Sequence, residues 1–169
     1  MGNPRFTQHV VFDVHGLRRD TCRAVIMGSM GRSKRTPVIA AGGIVVRRNS
    51  KAAIAIVQRK RDNAWVLPKG KIKPREKPIV AAKREAIEET GCAVHVYEFL
   101  GVISYLSGGG PKIAHFWRMH ATRNAAKALT HDVKAVEWLP LCKAIERLSL
   151  PHEQHFLRNV GRHALRKTV

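Results

Sequence analysis

Acidic residues are the scarcest class here relative to their opposites. The 169 residues hold 12 Asp plus Glu against 31 Lys plus Arg, a net charge of +19 with histidine neutral. Such a field points to a polyanionic partner: nucleic acid, an anionic membrane surface or a phosphate-rich small molecule. Charge alone does not choose among them, because it attracts any polyanion. Cysteine is sparser still, with three residues. Cys22, Cys92 and Cys142 are odd in number and far apart, which excludes a disulfide framework and a zinc-ligand pattern and makes a reducing cytoplasm the expected setting. No apolar run approaches the roughly 18 residues of a membrane-crossing helix. There is no internal repeat and no low-complexity segment. The opening MGNPRF places Phe6 where a myristoylation signal needs Ser or Thr, and no secretory apolar stretch follows, so no targeting segment is read.

What is present is an ordinary globular composition, 44% apolar, long enough for one domain with a real core. Residues 1–36 read as a basic arm ending in the linker GSMGRSKRTP, with HVVFDVHGL as a short strand inside it. Met27 and Met30 offer alternative starts that would make the arm dispensable. Residues 37–169 read as the folded domain. VIAAGGIVVRR and AAIAIVQRK form a hairpin, WVLPKG a short strand, and KPIVAAKREAIEETG a helix with Pro78 in its first turn and Gly91 at its end. AVHVYEFLGVISYL and KIAHFWRMHAT are strands joined by SGGGP, AVEWLPL is another, and CKAIERLS and PHEQHFLRNVGRHALRK are terminal helices. One helix among strands, followed by terminal helices, implies an α/β sandwich with a mixed sheet between helices.

The scarce acids are not scattered. Glu76, Glu85, Glu88 and Glu89 all fall between Gly70 and Cys92. On a helix Glu85, Glu88 and Glu89 stand at i, i+3 and i+4 and share one face, where like charges repel. Val80 and Ile87 fall on roughly the opposite face and are expected to anchor the helix on a sheet. No Lys or Arg has a spacing that neutralises all three acids. A divalent cation does so, and an oxygen-only donor set points to Mg²⁺ or Mn²⁺ rather than zinc.

The spacing is Gly70, five residues, Glu76, seven residues, then Arg84-Glu85-Ala86-Ile87-Glu88-Glu89-Thr90-Gly91-Cys92. It resembles the Nudix box of the Nudix hydrolases at every fixed position. Ala86 and Cys92 are small departures where the family has aliphatic residues. AAGGIVV, WVLPKGK, AHFW and VEWLPL look like the flanking segments, so the resemblance runs from about Val38 to Leu157. The LPKGK lead-in and the later LSLPHEQHFL are most similar to MutT-type members and the polyphosphate hydrolases near them. Residues 1–36 inherit nothing from it.

The resemblance implies the Nudix fold, with a loop–helix–loop box, and a pyrophosphohydrolase in which Glu85, Glu88 and Glu89 hold Mg²⁺, or Mn²⁺ in its place. Glu85 is also a candidate to orient or deprotonate water. It implies a supporting acid in Glu76, an Arg84 that fixes a box glutamate, and a Gly70 carbonyl as a further candidate ligand. A general base often comes from a loop outside the box. Asp132 in THDVKAVEW is the first candidate and Glu137 the second. Lys69 and Lys71, beside Gly70, and Arg59 and Arg61, leaving the preceding strand, are the candidate phosphate holders. His115 and Trp117 share one strand face and are expected to line the cleft or belong to the core, and Trp65 to be core. The expected substrates are nucleoside polyphosphates, with an oxidised guanine nucleotide or a diadenosine polyphosphate favoured over a diphosphoinositol polyphosphate. The competing class is a basic nucleic-acid-binding module, or a hydrolase of RNA 5′ ends. Intact glutamates disfavour the pure module, since carboxylates repel phosphate unless metal is present.

Overall fold

The computed structural model describes residues 9–12, 36–49, 51–107, 109–125 and 128–166. Chain order gives β1 (His9–Phe12), β2 (Val38–Arg48), β3 (Ala52–Arg59), β4 (Trp65–Val66), β5 (Lys69–Lys71), α1 (Pro78–Thr90), β6 (Cys92–Ser107), β7 (Gly110–Ala125), β8 (Val133–Leu139), α2 (Leu141–Arg147) and α3 (Pro151–Ala164). The strands form one mixed sheet in the order β1-β6-β7-β2-β3-β4, with β5 on β2 and β8 on β3. Only β2 and β7 pair in parallel among the described strands, Val38 opposite Lys112 through Val46 opposite His120.

Alternation along β2, β3 and β7 sorts the core into two layers. Ala40, Ile44, Val46, Ile54, Ile56, Ala114 and Phe116 pack against α2 and α3 through Ala144, Leu148, Phe156, Leu157 and Val160. Ala41, Val45, Ala55, Trp117 and Met119 face α1 through Ala81, Ala82 and Ala86. The expected anchors of α1 are therefore corrected. Ile87 packs at the edge of this layer, but Val80 is 52% exposed, and the buried face of α1 is alanine and Thr90. Small side chains let the helix axis lie close to the sheet.

The helix boundaries follow the sequence signals. Pro78 opens α1, and Gly91 ends it with φ 69°, its N–H donating to the Ile87 carbonyl at 2.9 Å. WVLPKG is two strands rather than one. β4 pairs with β3 and β5 with β2, because Pro68 has no N–H for a continuous ladder. Its carbonyl instead accepts the Gly43 N–H at 3.1 Å. A Cβ on Gly42 would overlap Pro68 O and Lys69, so only glycine lets β5 lie here. The SGGGP segment turns β6 into β7, with Ser107 Oγ donating to the Gly110 carbonyl at 3.1 Å. From within the N-terminal segment, β1 pairs with β6, Phe12 opposite Gly101. The two alternative start methionines lie outside the described residues.

Candidate active site

Two elements build the site: β5 carries Gly70, and α1 carries the glutamates. Gly70 lies opposite Ala41 in the β2 ladder. A Cβ on Gly70 would coincide with the Glu85 carboxyl group. Glycine is required because the carboxylate rests directly on the β5 backbone.

Arg84 organises the acids. Its Nε and Nη2 donate to Glu76 Oε1 and Oε2 at 2.8 and 2.9 Å, a two-pronged pair. Its Nη1 donates to Glu85 Oε1 at 2.6 Å and Glu88 Oε2 at 3.1 Å. Glu76 also accepts the Lys73 N–H at 2.9 Å, which closes the loop into α1. These bonds from Arg84 and Lys73 hold the Glu76 carboxyl down to about 2. An internal cation thus bridges two of the three helix-face acids, so the expected bare repulsion is corrected to a partly neutralised cluster. The third, Glu89, turns to β5 and accepts the Lys69 N–H at 2.9 Å. Burial pushes its carboxyl up to about 8, against the opposing pull of Lys69. Burial also raises Glu85, while Arg84 opposes the rise.

Among the described residues no three acidic, His or Cys side chains already stand as a metal cage. Glu85 and Glu88 hold Arg84, and Glu89 holds the Lys69 amide. The donor chemistry nevertheless fits a hard dication: three carboxylates and the nearby Gly70 carbonyl offer oxygen alone. A buried, proton-bearing Glu89 is the kind of group a cation returns to its charged form.

The candidate phosphate holders divide. Lys69 is not at a solvated mouth: its side chain is 7% exposed, and Nζ lies 2.6 Å from Glu153 Oε1 on α3. Glu153, fully buried, also accepts the Leu67 N–H at 2.7 Å. Burial works against the Lys69 charge, but Glu153 and Tyr105 outweigh it and raise the pKa. Lys71 is exposed. Arg59 is paired with Asp62 through two bonds of 3.1 and 2.7 Å, and Arg61 lies 3.7 Å from the same acid.

The two candidate bases part company. Thr130 N–H donates to the Glu88 carbonyl at 3.1 Å, which ties the loop before β8 to α1. Asp132 stands two residues further on, its side chain 80% exposed and paired with His131 at 3.0 Å. Glu137 lies opposite Ile56, on the layer facing α2 and α3, and pairs with Arg147 of α2 at 3.1 Å. His115 and Trp117 share the α1 face, with ring centres 6.3 Å apart and Phe99 beside both. Trp117 belongs to the α1 layer, and Trp65, beneath Arg147, to the other.

Comparison with known proteins settles the family. The family model described as NUDIX domain matches residues 36–160. The chain belongs to the Nudix hydrolase family. Over 117 residues the Nudix chain is 34% identical to an 8-oxo-(d)GTP phosphatase of Mycolicibacterium smegmatis, an alignment of 69% of this chain and 36% of that protein. The chain thus spans about a third of that relative's length. In three dimensions it is similar to a C. elegans Ap4A hydrolase binary complex, with TM-score 0.65 and 25% identity, covering 75% of this chain and 96% of that one. It is also similar in fold to a MutT protein from Methanosarcina mazei Go1, with TM-score 0.66 and 20% identity, covering 80% and 100%. The expected Nudix fold is the observed one, and no helix among the described residues is long and apolar enough to cross a membrane.

Glu153 escaped the sequence reading, although a signal was there. It occupies the apolar stripe of α3 with Phe156, Leu157, Val160 and Ala164, all buried. An acid in such a stripe demands a buried cation. The Thr130 contact left no trace in the sequence.

Proposed function

We propose that this Nudix chain is a Mg²⁺-dependent pyrophosphohydrolase that cleaves a phosphoanhydride bond in a nucleoside polyphosphate. The observation that carries this reading is the seating of Glu85 on Gly70, with Glu88 and Glu89 on the same helix and Arg84 as organiser. Glu85, Glu88, Glu89 and the Gly70 carbonyl would hold the metal, for which Mn²⁺ is a substitute. A dication held there would neutralise phosphate charge and make water more acidic.

The remaining work belongs to the protein. Arg84 and Glu76 fix the direction of Glu85, a supporting role rather than contact with substrate. Asp132 takes the proton of the attacking water, and the Thr130 contact with α1 supports it over Glu137. Lys71, Arg59 and Arg61 hold phosphate oxygens. Lys69 supports β5 from beneath through Glu153. Free thiols at Cys92 and Cys142 suit a reducing compartment such as the cytoplasm.

The names of the similar proteins support an oxidised guanine nucleotide or a diadenosine polyphosphate as substrate. The deciding experiment is a panel of these two, a diphosphoinositol polyphosphate and a 5′-triphosphate RNA, scored by released phosphate with Mg²⁺ and with EDTA. Turnover of a nucleotide that stops in EDTA is expected. Ligand binding without turnover, undiminished by EDTA, overturns the catalytic reading in favour of a binding module.

A further inference from the structure

α3 presents a row of arginines on the side away from the sheet. One stripe of the helix is buried: Glu153, Phe156, Leu157, Val160 and Ala164. Arg158 and Arg162 are exposed on the opposite face, at i and i+4. The exposed Arg166 continues the row in the turn that closes the helix, its N–H donating to the His163 carbonyl at 3.0 Å. A rise of about 1.5 Å per residue sets these positions about 6 Å apart, roughly 12 Å from first to last. α3 packs on one side of the sheet and the glutamate helix α1 on the other, so the row lies on the far side of the protein from the box.

These three charges have no task inside the fold. Elsewhere cations pair: Arg59 with Asp62, Lys69 with Glu153, Arg84 with the box acids, Arg118 with Glu98 and Arg147 with Glu137. Among the described residues no carboxylate stands in ion-pair reach of Arg158, Arg162 or Arg166. The only acid of α3 is Glu153, and it is buried. Cations in a last turn ordinarily serve the helix dipole and its open carbonyls. Here the sheet already fills that role. Arg48 Nη2 donates to the Leu165 and Arg166 carbonyls at 2.6 and 2.5 Å, and Arg118 Nη1 to the Arg166 carbonyl at 3.0 Å. Arginines at i and i+4 repel one another, and an external polyanion is the complement that relieves them.

The chemistry of the face selects among polyanions. A helix lying on an anionic membrane sinks apolar side chains into it. The exposed large hydrophobic residues among those described are Ile39, Ile79, Val80, Leu106 and Leu129, none of them on α3. Single-stranded nucleic acid is held on aromatic platforms as well as by cations, and the outward face of α3 carries no Phe, Tyr or Trp. Both side-chain amides of α3 are engaged within the protein, Gln154 on the Leu148 carbonyl at 2.6 Å and Asn159 on the His155 carbonyl at 2.8 Å. Base edges and 2′-hydroxyls therefore go unread by them. What remains is guanidinium, whose planar fork matches phosphate. A duplex strand places a phosphate about every 3.4 Å along its axis, so a row of about 12 Å meets three or four of them.

We propose that Arg158, Arg162 and Arg166 form a docking face for duplex DNA, gripped through its phosphates without regard to sequence. The inference does not rest on the hydrolase reading, whose glutamates belong to α1 on the other side of the sheet. A chain docked in this way keeps its box turned away from the duplex and open to small molecules.

The test separates this face from net charge. Fluorescence anisotropy follows a labelled DNA duplex of about two helical turns, titrated with the full chain in EDTA over a series of salt concentrations. Arg158→Gln/Arg162→Gln/Arg166→Gln should weaken binding at least about tenfold at low salt and make the logarithmic salt dependence shallower by roughly 2 to 3. Lys77→Gln/Lys83→Gln/Lys134→Gln removes the same charge from exposed positions away from α3 and should bind nearly as the parent does. Melting curves verify that each variant is folded. If the triple arginine variant is not, Arg162→Gln alone decides, through a slope shallower by roughly 1. Nucleotide hydrolysis with Mg²⁺ should be unchanged in the arginine variants. The proposal is overturned by equal losses in the lysine variant, by no loss in the arginine variants, or by a parent that leaves the duplex unbound at low salt. A fall in hydrolysis that matches the fall in binding would return the row to the catalytic site and overturn it too. So would a single strand or a duplex RNA of the same length bound more tightly than the DNA duplex, or phosphatidylserine vesicles bound through these arginines when the duplex is not.

Discussion

Replacing Glu153 with glutamine tests how α3 holds the chain around β5. The amide oxygen introduced by Glu153→Gln can keep the Leu67 N–H that Glu153 Oε2 now accepts at 2.7 Å. The new NH₂ group then faces the Lys69 ammonium, donor to donor, where a carboxylate oxygen stood at 2.6 Å. Both side chains are almost wholly buried, at 7% and 0% exposure, so water does not screen the loss. Removing one partner of such a pair costs about 3–5 kcal/mol. With the Glu153 charge gone, the nearby Glu89 carboxyl gives up its proton more readily to Lys69 and relieves part of this, which puts the expectation near 3 kcal/mol. In a chain of this length that lowers Tm by roughly 6–12 °C. Urea unfolding followed by tryptophan fluorescence measures it. The alkaline side gives a second readout. Lys69 has a raised pKa in the fold, so the pair's contribution is complete below about pH 10.4 and lost as pH rises through the folded value. In Glu153→Gln that loss should move to lower pH. The paired substitution Lys69→Met/Glu153→Leu removes both charges and should be less destabilised than the sum of its single changes. A Glu153→Gln protein with the parent's urea midpoint, or strict additivity in the pair, refutes the reasoning.

Because Glu89 is pushed up to about 8, it carries a proton at neutral pH without metal. Mg²⁺ affinity should rise about tenfold per unit as pH climbs toward 8 and level off above it. Calorimetry in buffers of differing ionisation enthalpy should find close to one proton released per site at pH 7, and none in Glu89→Gln. By the same shift, metal-free stability should fall as pH rises from about 4.5 to 8, since the folded state holds the proton longer than the unfolded chain. Gly70→Ala should cut kcat by orders of magnitude while leaving far-ultraviolet circular dichroism intact, because the new methyl displaces the Glu85 carboxyl group. Parent-like turnover there would remove Glu85 from its assigned place. Asp132→Asn should lower kcat strongly and flatten the acid limb of the pH–rate profile with little change in metal affinity. Glu137→Gln should do neither, and a slow Glu137→Gln with a parent-like Asp132→Asn transfers the base to Glu137. Deleting residues 1–36, which strips β1 from its pairing with β6, should leave hydrolysis of a small nucleotide within a few-fold of the full chain.

Chemistry was more legible than packing. The box glutamates, Gly70 and the ends of α1 follow from spacing and local signals, since cap glycines, a first-turn proline and i, i+4 neighbours act within one element. The role of Val80 was misread because position on a helix wheel does not say how near the sheet lies; alanines fill the interface instead. Lys69 is a candidate phosphate holder by its place beside Gly70, and its buried partner Glu153 lies far away in sequence, while Arg84 bridges acids on two segments that only the fold brings together. Similarly, the partition between Asp132 and Glu137 depended on the β3–β8 register, which sets the face to which Glu137 belongs.

The alanine face of α1 has a consequence for how this protein tolerates change. Methyl groups contribute little apolar area each, so this interface acts less as glue than as a spacer that sets the height of the glutamates above β5. Ala82→Val would add buried surface, and any gain in melting temperature would come with a helix lifted off its seat. Variants selected for heat resistance at Ala81, Ala82 or Ala86 should then drift away from working geometry. Selection for turnover should hold these three positions small even when a larger residue would bind the layers more firmly.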